Sequence, residues 1–285
     1  MRVLVTGAGG MVGRALSVHC RSLGDEVLNY DRQSLDITDR EAVSTSLQRD
    51  RPDVVINCAA WTNVDGCESD RERALLANGI GPENLAHVSR QIKAGFITIS
   101  TDYVFDGTKN DFYTQRDDPN PQSVYAWSKL EGERRSQLAY ARTIIVRSGF
   151  IFGPGGSNFL SAVVTRAKNG ERITAINDAW GTPTYARDLA AQLRRLASLD
   201  LPGIFHVVNE GSGATYEEIV TCMIEASALK AQVTGITSDS IKRPAPRPID
   251  SRLKCLFSER LGLPPLPPWR DAAKDFVLRQ ETQPV

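Results

Sequence analysis

Sulfur and histidine are scarce in this chain. The five cysteines, Cys20, Cys58, Cys67, Cys222 and Cys255, are scattered, odd in number and free of any C-x-x-C spacing, which excludes a disulfide framework and a thiolate metal knuckle. They are expected to be reduced thiols in a cytoplasmic protein. The three histidines, His19, His87 and His206, lie far apart within helical or strand patterns. That excludes zinc-ligand spacing and leaves packing roles, and Glu68 with Asp70 is too ordinary an acidic pair to make a metal site. Net charge is also absent, with 34 basic against 34 acidic residues, and the densest basic runs, Arg134-Arg135 and Arg194-Arg195, are pairs. Such a chain offers no clustered basic face to nucleic acid or to a membrane surface. No run reaches the roughly 18 apolar residues of a membrane span. From Met1 the chain enters Val3-Leu4-Val5 with no charged leader or cleavage site, so neither secretion nor membrane insertion is expected.

What is present is an ordinary globular composition, 41% hydrophobic and 24% charged over 285 residues. That length exceeds the ~100–200 residues usual for one domain, so one large domain or a domain with a smaller lobe is expected. In the first half, short apolar runs alternate with amphipathic stretches, as a parallel sheet with crossover helices requires. Strands are expected at Arg2–Thr6, Glu26–Tyr30, Val54–Asn57, Phe96–Ser100 and Thr143–Arg147. Helices are expected at Met11–Leu23, Arg40–Asp50, Arg71–Lys93 with a break near Gly79–Pro82, and Ser128–Ala139. Being apolar on both faces, the strands read as the interior of a covered sheet. After Gly153 proline and glycine increase and the elements shorten: helix Asn158–Lys168, helix Asp188–Ser198, strand Phe205–Val208 and helix Tyr216–Leu229. Lys242–Pro248 is expected to be an extended loop.

The opening Val3-Leu4-Val5-Thr6-Gly7-Ala8-Gly9-Gly10-Met11-Val12-Gly13 sets a strand, a glycine turn and a helix start in succession. Gly7 suits the tight turn, Gly10 lets a pyrophosphate approach the backbone, and Gly13 lets helix and strand pack closely. Free amides at that helix start favour phosphate. A glycine triplet alone is weak evidence, equally a turn that binds nothing. Here the strand and helix context is right, and Asp31 ends the second strand eighteen positions after Gly13, near the spacing of a ribose-binding carboxylate. The fold class that follows is α/β, a Rossmann-type doubly wound parallel sheet with a smaller C-terminal substrate-binding lobe. Residues 1–153 would form the dinucleotide-binding unit with the catalytic residues. Residues 154–285 would be mainly the substrate lobe, some segments returning to the main sheet. Asp31 accepts the 2′-hydroxyl of NADH and repels a 2′-phosphate, while Arg32 offsets that repulsion, so NADH is favoured and NADPH tolerated.

Tyr125-Ala126-Trp127-Ser128-Lys129 puts a phenol and an ammonium at i and i+4 on one helix face. That spacing lets the cation lower the tyrosine pKa while the phenol faces a carbonyl. The pair recurs by chance on exposed helices, and its value here is position. It follows the fourth strand, which ends in Ser100-Thr101-Asp102, and ligands in such sheets bind beyond the carboxyl ends of the strands. Thr101 can supply a hydroxyl to the same oxygen.

The segments VTGAGGMVG, NCAAWTNVDGCE, ISTDYVFDG, YAWSKLEGE and GTPTYARDLA together resemble the extended short-chain dehydrogenases/reductases, and within them the dTDP-4-dehydrorhamnose reductase family, over nearly the whole chain. The resemblance implies a catalytic triad of Thr101, Tyr125 and Lys129. Tyr125 would protonate a C4 ketone oxygen as hydride arrives, Lys129 would hold the nicotinamide ribose, and Thr101 would polarise the carbonyl. It also places Met11, Val12, Cys58, Ala59, Ala60 and Thr62 beside the cofactor and Asp36 and Ile37 near the adenine. Val64, Asp102, Tyr103, Val104 and Phe150 would line the sugar pocket. The reaction implied is NAD(P)H-dependent reduction of dTDP-4-dehydro-6-deoxy-L-mannose to dTDP-L-rhamnose by a monomer or homodimer. Some family members use Mg²⁺, but this chain shows no acidic cluster for it.

Two departures fall at the substrate. Where the family segment reads R-T-x-W-V-Y-G this chain has Arg147-Ser148-Gly149-Phe150-Ile151-Phe152-Gly153, and the familiar Asp-Gln is Asp178-Ala179. Another NDP-4-keto-6-deoxy sugar therefore stays open as substrate. The loop Arg243-Pro244-Ala245-Pro246-Arg247-Pro248 resembles the family's diphosphate segment, where Arg247 would pair with phosphate. It reads equally as a solvent-facing connector. Phe159 reads as a core residue and Cys58, with no paired base, as no nucleophile. A non-catalytic dinucleotide-binding subunit, like the β subunit of methionine adenosyltransferase, is the reading from another class, and the intact triad argues against it. A dehydratase is disfavoured because Asp102 is followed by Tyr103.

Overall fold

Val3 and Val5 of the first strand, β1 (Arg2–Thr6), pack into one core cluster and Leu4 between them into another, all three fully buried. A strand rotates alternate side chains to opposite faces, so such a strand needs cover on both. In the computed structural model, which describes residues 1–282, that cover comes from helices on each side of a parallel sheet. Strands β2 (Glu26–Tyr30), β3 (Val54–Asn57), β4 (Gly95–Thr101) and β5 (Thr143–Ser148) join β1, with Gly203–His206 at the far edge. The order is Gly203–His206, β5, β4, β3, β1, β2, and every pairing is parallel. The fold is the doubly wound sheet that the alternating pattern implies. The order reverses between β1 and β3, and the crevice beyond the carboxyl ends of strands at such a point is where ligands bind.

One face is covered by α1 (Met11–Ser22) and helix Ala186–Leu199, whose Leu189, Leu193 and Leu196 are fully buried against Val3, Val5 and Ile56. The other is covered by α2 (Arg40–Asp50) and helix Gly81–Ile92, with Val43, Leu47 and Leu85 against Leu4 and Val55. Each such side chain contributes about 1.5–3 kcal/mol by leaving water. A further core gathers Phe152, Tyr185, Met223 and Phe276 from the second half of the chain.

Several elements differ from expectation. The break near Gly79–Pro82 is a π-helical turn, Leu76–Ile80, through which the chain stays helical from Arg71–Leu75 into Gly81–Ile92. The Asn78 side chain on that turn accepts from the Trp61 amide and donates to the Trp61 carbonyl and the Ser128 hydroxyl, tying the turn to the cleft wall and the catalytic helix. The helix expected from Ser128 begins a turn earlier, at Val124, because the Ser123 hydroxyl accepts from the Ala126 amide and caps it. Two further helices, Val64–Ser69 and Trp269–Thr282, and a parallel pair of strands, Ile173–Ile176 with Val233–Ile236, are not among the expected elements, although the buried Trp269, Ala272, Ala273, Phe276 and Val277 recur at helical spacing. Lys242–Pro248 has neither helix nor strand. Among the described residues no helix is long and apolar enough to cross a membrane.

Candidate active site

The carboxyl ends of β1, β3, β4 and β5 open into one cleft of about 640 Å³. Its floor is the glycine turn. Gly7 has φ +64°, and a side chain there would put a Cβ 2.6 Å from the Ala59 amide nitrogen. At Gly13 a Cβ would stand 2.3 Å from the Gly7 carbonyl, so only glycine lets α1 approach β1 this closely. The cap position of α1 is Gly10, with no side chain on the first amides. Those free N–H groups, with Gly10, Met11, Val12 and Gly13 lining the cleft, fit the pyrophosphate of a dinucleotide. Cys58, Ala59, Ala60, Thr62 and Val64 form the wall beyond β3. Burial pushes the Cys58 thiol up to about 12, which removes it as a nucleophile.

Asp31 stands at the end of β2, exposed, its Cβ 3.8 Å from where Gly9 would carry one. Hydrogen bonds from Ser34 and Gln33 hold its carboxyl below the usual range. Arg32 is exposed beside it. Asp36 spends its carboxylate on the Thr38 amide and hydroxyl, and Ile37 packs with Leu4 and Val55 in the core. These four residues do not line the cleft.

Tyr125 and Lys129 project from helix Val124–Ala139 into the cleft, and Thr101 from β4 meets them there. The expected lowering of the Tyr125 pKa by Lys129 is not found. Burial raises the phenol well above its ordinary value and the Asp102 charge adds to that, with the neighbouring Thr101 hydroxyl opposing. The Lys129 ammonium donates to the Ile99 carbonyl at 2.6 Å, and burial lowers it to about 8 against the opposing charge of Glu133. Desolvation is the largest influence on both groups. A phenol that stays protonated is suited to give a proton.

Beneath this group lies Asp102, fully buried. Its Oδ1 accepts from the Thr101 hydroxyl at 3.0 Å and its Oδ2 from the Ser251 hydroxyl at 2.5 Å. Burial pushes it up to about 6, with the Ser251 and Thr101 bonds opposing. Gly149 makes room for it, since a Cβ there would stand 2.5 Å from the carboxylate. Tyr103 faces the cleft, its ring 6.3 Å from and nearly perpendicular to that of Tyr125. Val104, expected in the sugar pocket, is not there. The tight turn Asp102–Val104 returns it to a small core with Phe105, Tyr113 and Leu130, where it is fully buried.

The family model of the RmlD substrate binding domain matches residues 1–282. The dTDP-4-dehydrorhamnose reductase of Mycolicibacterium smegmatis is 37% identical over 279 residues, 97% of this chain and 85% of that protein. A dTDP-4-keto-6-deoxy-D-glucose reductase of Streptomyces niveus is 35% identical over 272 residues, 95% of this chain and 94% of its own length. Among solved structures, a dTDP-4-dehydrorhamnose reductase of Bacillus anthracis in complex with NADP superposes with a TM-score of 0.94 at 30% identity, covering 98% of this chain and 99% of that one. This chain belongs to the RmlD family.

Within that family frame the departures can be located. Phe150 lies in the cleft with φ +45°, a conformation costly for a bulky residue. Ala179 is buried, and Asp178 accepts from the Ser238 amide and hydroxyl, fixing a turn instead of facing the cleft. Arg247 does not line the cleft. Its guanidinium donates to Asp65 on helix Val64–Ser69 at 2.6 Å, and the Ala245 amide donates to the same oxygen, so the proline-rich loop is tied to the cleft wall. Tyr216, Ser251 and Phe159 as a lining residue were not expected here from sequence. Only contacts between distant segments bring them to the site, so no local motif could have found them.

Proposed function

We propose that this chain reduces the 4-keto group of dTDP-4-dehydro-6-deoxy-L-mannose to give dTDP-L-rhamnose, using NADH or NADPH. The observation that carries this reading is the convergence of the half-buried Tyr125 phenol, Thr101 and Lys129 in one cleft floored by the glycine turn, where burial keeps the phenol protonated. The nicotinamide, when bound, supplies the hydride that the carbonyl carbon accepts. Tyr125 gives its proton to the carbonyl oxygen, so the ketone becomes an alcohol and the phenolate regains a proton from solvent. Thr101, its hydroxyl held by Asp102, stands beside the phenol in the cleft. Lys129 holds the ribose of the cofactor from its place beside Ile99. The ionised Asp31 supports NADH as the favoured cofactor, with Arg32 allowing NADPH.

A second substrate, another dTDP-4-keto-6-deoxy sugar, is favoured by Phe150 at the cleft and by the Streptomyces niveus relative. The test is consumption of NADH and of NADPH by purified protein given enzymatically generated dTDP-4-dehydro-6-deoxy-L-mannose, with product mass and sugar stereochemistry determined. Oxidation yielding dTDP-L-rhamnose is expected. Cofactor binding without oxidation would move the assignment first to other 4-keto sugar nucleotides and then to a binding subunit.

A further inference from the structure

Tyr216 opens helix Tyr216–Ala226, whose first turn is held by a reciprocal cap. The Thr215 hydroxyl accepts from the Glu218 amide and the Glu218 carboxylate from the Thr215 amide. That cap sets the phenol over the substrate side of the cleft. Three aromatic side chains then define its surroundings. The Phe150 ring stacks on it at 4.3 Å with 30° between planes, and Phe159 lies tilted at 6.3 Å. The Tyr103 hydroxyl is a hydrogen-bonding neighbour of the Tyr216 hydroxyl, and Tyr103 in turn stands edge-on to Tyr125.

One face of Phe150 carries Tyr216, and Gly181 lies against the same ring, where an added Cβ would be 2.3 Å away. Its left-handed backbone holds the ring between these two neighbours. The polar group this aromatic wall leaves for a ligand is the Tyr216 hydroxyl. A phenol hydroxyl both accepts and donates, so with Tyr103 able to donate to the Tyr216 oxygen the Tyr216 proton is available to a ligand.

We propose that Tyr216 is a specificity-determining residue whose hydroxyl donates a hydrogen bond to a ring hydroxyl of the keto sugar, and that Phe150 is the positioning residue that holds it. This rests on the reductase reading above. The substrate class it selects is a 4-keto sugar nucleotide that keeps its ring hydroxyls, over dideoxy counterparts. A buried donor left unpaired by a missing hydroxyl is costly, which is how such a site rejects the deoxy analogue.

The experiment measures kcat/KM of the wild-type protein and of Tyr216→Phe on the fully hydroxylated dTDP-4-keto-6-deoxy sugar and on analogues lacking the 2- or the 3-hydroxyl. Wild type is expected to favour the hydroxylated substrate over one analogue by tenfold or more, and Tyr216→Phe to reduce that ratio at least tenfold. A purely structural role would lower all three values together. Phe150→Leu, which frees the Tyr216 ring, should shrink the same ratio. The proposal is overturned if wild type shows no preference, or if its preference survives in Tyr216→Phe. Failure of wild type to reduce any of the three sugars would count against the reductase reading itself, and is thereby distinguished.

Discussion

The Glu68 carboxylate accepts a hydrogen bond from the Val124 amide at 2.8 Å, across 56 positions of sequence. Val124 is the first residue of the helix that carries Tyr125 and Lys129, and an amide there has no partner within the helix. A negative group at a helix start also meets the positive end of the helix dipole. Helix Val64–Ser69 thereby fixes the start of the catalytic helix while forming part of the cleft wall. Glu68→Ala should cost about 1 kcal/mol of stability and lower turnover several-fold, with Glu68→Gln in between. Urea unfolding and steady-state kinetics read both effects. Equal stability and rates in all three proteins would remove the capping role.

Tyr125→Phe keeps the ring and its edge contact with Tyr103 but removes the proton donor. A reduction of kcat by about 10²–10⁴ is expected, with cofactor affinity, measured by fluorescence titration, close to wild type. Turnover at the wild-type rate would mean that the proton comes from elsewhere.

The lowered Lys129 pKa predicts two pH effects of definite sign. The ammonium is the form that donates hydrogen bonds, and in the free protein burial takes it to about 8 from its ordinary 10.5. The kcat/KM for cofactor should therefore decline as pH rises past about 8, and Lys129→Met should lack that limb. Between about 8 and 10.5 the unfolded chain holds a proton that the folded chain has released, so stability should rise with pH across that window. A profile flat to pH 10 in the wild type would contradict the buried ammonium.

Arg147 on β5 and Glu133 on the catalytic helix form a two-point ion pair, 2.9 and 2.6 Å, with both side chains 3% exposed. Removing one partner leaves an uncompensated buried charge, so Arg147→Met should destabilise by about 3–5 kcal/mol. The double change Arg147→Met with Glu133→Leu should recover most of that loss in guanidinium unfolding. Additive losses would show that packing, not charge, governs the site.

Much of this architecture follows from local pattern. The period of two in Val3-Leu4-Val5, the glycines at 7, 10 and 13 and the i, i+4 pair Tyr125 and Lys129 each encode a backbone geometry within a few residues. The sheet, the cleft at the reversal of strand order and the main catalytic candidates are therefore legible in the residues themselves. What local pattern could not supply was the electrostatic outcome at Tyr125. Spacing puts the ammonium on the same helix face, but burial decides both proton affinities. Nor could it place Val104 in the core, since one step along a tight turn reverses a side chain's direction. Glu68, Tyr216 and Ser251 reach the site through contacts spanning tens to more than a hundred positions. The sequence alone determined the fold class and the reacting groups. Tertiary packing decided which neighbours tune them, because desolvation and aromatic contact depend on segments that meet only when the chain is folded.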